Sequence, residues 1–195
     1  MKSIYYNPYE KLTEIQLLLI GLILGGLGCL LGFYLDARFD GVVDMHTAGK
    51  TTVTLRQPFI DNAINTVTLF IVLYLLALFI NKKTRAIDIL NVALIARAPI
   101  YLASLINIGG ILDSLANLDP SHTSNISIGA SVMALVAVVI ILILGVGSLI
   151  WFVALLYHGF KTATNLKLTK QKVALGFTVL LAEIIAKLLI GYLNY

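Results

Sequence analysis

Five long apolar runs, free or nearly free of charge, alternate along the chain with short polar stretches; they cover residues 15–35, 59–80, 86–112, 128–157 and 172–193. A helix climbs about 1.5 Å per residue, and about 20 apolar residues cross a bilayer's hydrocarbon core. Within lipid every backbone N–H and C=O must be bonded inside the chain, which makes such runs helical. The pattern therefore predicts an all-α integral membrane protein, a bundle of five transmembrane helices forming one domain over residues 1–195. Residues 36–58 form the longest polar connection. There Gly41-Val-Val-Asp-Met-His46 and Lys50-Thr-Thr-Val-Thr-Leu-Arg56 flank a turn at Gly49, which predicts a small β-hairpin over 41–57, outside the bilayer. Tyr5, Tyr6 and Tyr9 in the polar leader suit the headgroup level, so this segment is expected along the interface. No internal repeat or low-complexity tract interrupts the pattern.

Three runs carry further instructions. Gly21, Gly25, Gly28 and Gly32 recur every three or four residues and line one face of the first span. Small residues so spaced let another backbone approach closely, and packing within the molecule is expected ahead of self-association. Pro99 lies inside the third span, where it removes a helical N–H and clashes with the preceding turn. A kink is expected just before it. The fourth run is longer than the core requires, so it must tilt, project or bend at Gly145-Val-Gly147.

Composition agrees: 59% of residues are hydrophobic and 12% charged, with a mean hydropathy of +0.94. The net charge of +4 is small and dispersed, which argues against a nucleic-acid partner. It becomes informative when divided between the two sides of the bilayer. Lys2, Lys11, Lys82, Lys83, Arg85, Lys161, Lys167, Lys170 and Lys172 fall on one side, and Arg38, Lys50 and Arg56 on the other. The excess side is cytoplasmic by the positive-inside rule, which puts the N-terminus in the cytoplasm and the C-terminus outside. The basic cytoplasmic loops would also attract anionic lipid. Cys29 is the single cysteine, so no disulfide forms within the chain. Leu27-Gly28-Cys29 loosely resembles a lipoprotein box, but Gly26 stands where an aliphatic residue belongs, and the run is read as a retained span.

Ionisable residues inside the spans carry the candidate chemistry. Arg97 and Glu183 each lie eleven residues along outward-running spans, near the midplane. Equal depth predicts a direct Arg97–Glu183 pair, which lowers the cost of burying each. Lys187, four residues after Glu183, and Asp61 with Asn65 extend this into a polar seam toward the outer side. The balanced charges favour a structural seam over a transport path. The acids Asp36, Asp40, Asp44, Asp113 and Asp119 with His46 and His122 match no metal-ligand spacing, so neither metal nor cofactor is expected. Asn125-Ile-Ser127 fits a glycosylation acceptor by composition alone. No phosphate-binding glycine loop, zinc-protease helix or nucleophile elbow occurs, which argues against an enzyme.

Ile95-Ala-Arg97-Ala-Pro99-Ile-Tyr101, Ile150-Trp151-Phe-Val-Ala-Leu-Leu-Tyr-His-Gly159-Phe-Lys161 and Val173-Ala-Leu-Gly-Phe177 resemble the Ypt-interacting-protein (Yip) family of five-span membrane proteins, in its small bacterial form. The resemblance covers roughly residues 59–195. It implies the same topology reached from lysines and arginines, here in a bacterial inner membrane. It supplies no catalytic residues. Eukaryotic members associate with prenylated Rab-type GTPases and carry a long cytosolic N-terminal region, whereas here residues 1–14 stand before the first expected span. The function expected is a non-enzymatic membrane protein that binds a protein partner or a second copy of itself, or organises the bilayer around it. The alternative is a small transporter or channel-like protein using the seam.

Overall fold

The computed structural model describes residues 4–47, 52–110 and 128–193. Five helical segments among them are long and apolar enough to cross a membrane. Helix α1 (Glu14–Tyr34) starts at a capping box. The Thr13 side chain accepts from Gln16 N at 3.3 Å, and Gln16 Oε1 accepts from Thr13 N at 2.9 Å. Two orphan donors of the first turn are thereby satisfied. Helix α2 spans Arg56–Ile80, α3 Ala86–Ala96 and α4 Ala98–Ala103; α5 is Ile128–Thr164 and α6 Thr169–Leu193.

The third span is interrupted where the proline rule puts the break. Arg97 is at once the C-cap of α3 and the N-cap of α4, with Pro99 in the first turn of α4. Proline is tolerated there because a first-turn N–H would be unpaired anyway. From Ser104 the chain tightens to a 3₁₀ turn and leaves helical geometry at Asn107, and the expected end of this span at residue 112 lies outside the described residues. Helix α5 runs unbroken through Gly145-Val-Gly147 for 37 residues. At about 1.5 Å per residue that is roughly 55 Å. Its last turns therefore project well past the 157 boundary expected from hydropathy.

Helices α3 and α4 form the centre. In this segment 78% of the most apolar window is buried, against 17–33% in the other four. It packs against α1, α2 and α5, whereas α6 packs chiefly against α2. The glycine face of α1 is used inside the molecule: Gly21, Gly25, Gly28 and Gly32 are all buried. A Cβ at Gly21 would meet Leu94 at 2.7 Å, one at Gly32 would meet Phe39 at 2.8 Å, and one at Gly28 would overlap the Tyr101 ring. Cys29, fully buried beside this face, donates its thiol proton to Pro58 O at 3.3 Å. The leader also docks: Trp151 Nε1 donates to Tyr5 O at 2.8 Å, and the Tyr9 ring occupies the space a side chain at Gly159 would fill.

The first connection carries a small antiparallel pair as expected, but with different strand bounds. Strand β1 (Ala37–Arg38) pairs antiparallel with β2 (His46–Thr47), and residues 52–55 are not strand. The β-branched pattern at 50–56 was not decisive, because residues 39–43 pack down onto the helices. Phe39 and Val42 are both fully buried. Asp36, at φ 48°, turns the chain out of α1 and accepts from Val53 N at 3.1 Å, closing the loop at its base. The turn at Gly49, the 113–127 loop with Asp113, Asp119, His122 and Asn125-Ile-Ser127, and Lys2 lie outside the described residues.

Candidate functional site

The residues of the expected seam divide into two groups, and both involve α2. Arg97 is fully buried at the break between α3 and α4. Its Nη1 donates to Asn62 O at 3.1 Å, Asn62 Oδ1 at 2.5 Å and Thr66 Oγ1 at 3.1 Å. Asn62 and Thr66 are one helical turn apart, so a single face of α2 supplies all three acceptors. Tyr101, one turn beyond Arg97, donates its hydroxyl to Asn62 Oδ1 at 2.6 Å, and its ring lies 5.5 Å from the guanidinium carbon. That is cation–π distance.

The second group ties down the first loop. Asp61 and Asn65 are fully buried on a neighbouring face of α2. Arg38 grips Asp61 with a bidentate fork, Nε at 3.0 Å and Nη2 at 2.7 Å. Asn65 Nδ2 donates to Phe39 O at 2.5 Å. From α6, Glu183 accepts from Val43 N at 2.9 Å, and Lys187 pairs with Asp44 while standing 3.6 Å from Glu183. Gly41 lies against Glu183 so closely that any Cβ would collide with the carboxylate.

The expected Arg97–Glu183 pair is therefore not formed. Counting residues gives the height of a group in the bilayer but not the direction it faces. Helix α6 sits on α2 and makes at most marginal contact with α3 and α4, so Glu183 turns to the loop while Arg97 turns to α2. The continuous seam is replaced by an Arg97 centre and a set of loop anchors: Asp61, Asn65, Glu183 and Lys187. Lys187 is 44% exposed and belongs to the rim. Sequence reading missed Arg38, Asn62, Thr66, Tyr101, Gly41 and Asp44. The i,i+4 spacing of Asn62 and Thr66 was the available signal for an arginine partner.

Outside the spans, His46 Nδ1 lies 3.0 Å from Asp40 Oδ1. The Asp40 contact holds the imidazole above its ordinary 6.5 against the opposing effect of burial. Burial pushes the Asp40 carboxyl up, but His46 outweighs it and the net shift is below 3.8. The histidine contribution is complete below 6.5 and fades as pH rises through the raised value. The aspartate contribution is present above 3.8 and fades as pH falls through the lowered one. Stability from the pair is thus greatest between those limits. His46→Gln should flatten the loss of thermal stability on going from about pH 6 to 8, by less than about 1 kcal/mol for so exposed a pair. An unchanged slope in detergent melts would refute the assignment.

An apolar groove of about 440 Å³ runs between the leader, α1, α4 and α5, lined among others by Ile20, Leu24, Gly28, Tyr101, Trp151 and Leu155. Among the described residues no cluster of three or more His, Cys, Asp or Glu side chains is placed to hold a metal ion. No family model, curated protein or solved structure matches the chain.

Proposed function

We propose that this is a non-enzymatic, multi-pass membrane protein of the Yip type that binds partners or organises the bilayer around it. The observation that carries this reading is the use made of its polar residues. Asp61, Asn65 and Glu183 bond to Arg38, Phe39 O and Val43 N and so hold one loop against the bundle. Groups so committed act as fasteners, whereas a conducting path calls for groups free to exchange partners. The lateral apolar groove is of a kind that acyl chains fill, which supports a bilayer-facing role. The division of lysines and arginines supports a cytoplasmic N-terminus in a bacterial inner membrane, with Lys82, Lys83 and the 161–172 stretch offered to anionic lipid or a protein partner.

The transporter or channel-like alternative draws on Arg97, a buried cation that no carboxylate neutralises within 4 Å among the described residues. Flux measurements in reconstituted vesicles separate the two. The scaffold reading expects proton and chloride leak equal to that of empty vesicles, with Glu183→Gln lowering thermal stability and leaving leak unchanged. A flux that Glu183→Gln or Arg97→Gln abolishes would overturn it.

A further inference from the structure

We infer that the outer edge of the Arg97 guanidinium binds a small monovalent anion of halide or nitrate size inside the helix bundle. All hydrogen bonds of this side chain run through Nη1 to neutral oxygens. Nε and Nη2 are buried and meet no acceptor among the described residues. These two N–H groups point the same way from one edge of the planar group, a fork that matches an anion. The molecule uses that edge for this purpose twice elsewhere. Arg38 holds Asp61 with Nε at 3.0 Å and Nη2 at 2.7 Å. Arg85 holds Asp88 with the same atoms at the same two distances.

The charge at Arg97 needs an anion as well as an acceptor. A guanidinium keeps its proton in proteins, and a lone ion in so apolar a setting is costly. The carboxylates that the sequence places in the spans near this depth are engaged: Asp61 by Arg38, and Glu183 by Val43 N and Lys187. The two weak acids nearby are both donating protons. Tyr101 gives its hydroxyl hydrogen to Asn62 Oδ1 and Cys29 its thiol hydrogen to Pro58 O, so each is neutral. A water molecule would satisfy the two donors and leave the charge unbalanced. Complete burial of the side chain restricts the ligand to a few atoms, and one positive charge calls for one negative one.

The full chain, purified in detergent and exchanged into gluconate salts, is titrated with chloride at constant ionic strength while thermal unfolding is followed by Trp151 fluorescence. The midpoint should rise saturably, by about 3 °C or more at ten times the half-saturating concentration. Arg97→Gln should abolish the rise. Should that variant fail to fold, Asn62→Asp serves instead, because it puts a carboxylate against Nη1 and removes the need for a counter-ion. Radioactive chloride should bind the wild-type protein at about one per chain and be displaced by bromide. A flat midpoint with no bound chloride would overturn the inference in favour of hydration by water. An equal rise in wild type and variants would overturn it as a general salt effect.

Discussion

Asp61→Ala is expected to cost about 3 kcal/mol or more, a large share of the stability of most domains. The carboxylate is fully buried and receives both arms of Arg38, whose side chain is only 18% exposed. Removing the acid strands a cation beneath the first loop. Removing Arg38 instead leaves the acid in the same position. The double change Asp61→Leu with Arg38→Met should recover much of the loss, since apolar residues of similar volume often replace a buried ion pair at little cost. Melting temperatures of the wild type, Asp61→Leu, Arg38→Met and the double variant in one detergent make the cycle. Additive losses would mean that the two residues act separately and that the loop is held by other contacts.

Gly28→Ala should destabilise by about 2–3 kcal/mol, while Gly26→Ala is neutral or slightly favourable. The two sites share a helix and a chemistry but differ in surroundings. A Cβ at position 28 would fall on the Tyr101 ring, and one at position 26 has nothing within 4 Å. Tyr101→Leu should make Gly28→Ala less harmful than it is alone, because the ring is what the new methyl strikes. Equal melting temperatures for the two alanine variants would show that α1 and α4 are not in close contact. The effect would also reach Arg97, because the Tyr101 ring that a Cβ at Gly28 would strike also lies against the guanidinium.

The spans, the glycine face and the break before Pro99 could be read from sequence because each follows from local pattern. Twenty apolar residues, a small residue every turn or a missing N–H act the same way whatever the neighbours are. The Arg97–Glu183 pairing could not, since it depends on which faces α3 and α6 present to each other and which helix lies between. Nothing along the chain states that α6 leans on α2. A small antiparallel pair between the first two spans was legible as well, but its strand bounds were not, for a related reason. Strand propensity at 50–56 takes no account of what lies beneath the loop, and with Phe39 and Val42 buried there Ala37–Arg38 pairs with His46–Thr47. Asn62 and Thr66 stand out in sequence only as polar residues in an apolar run, and which of the α2 polar residues faces Arg97 depends on how α2 is turned toward α3.

The lone thiol of Cys29, sealed between α1 and the start of α2, gives the molecule an internal gauge. An alkylating reagent can reach that sulfur only in the brief moments when the two rods part. The pace of labelling therefore counts those excursions, without any engineered probe. Any occupant that tightens this corner would announce itself as slower chemistry at a single atom.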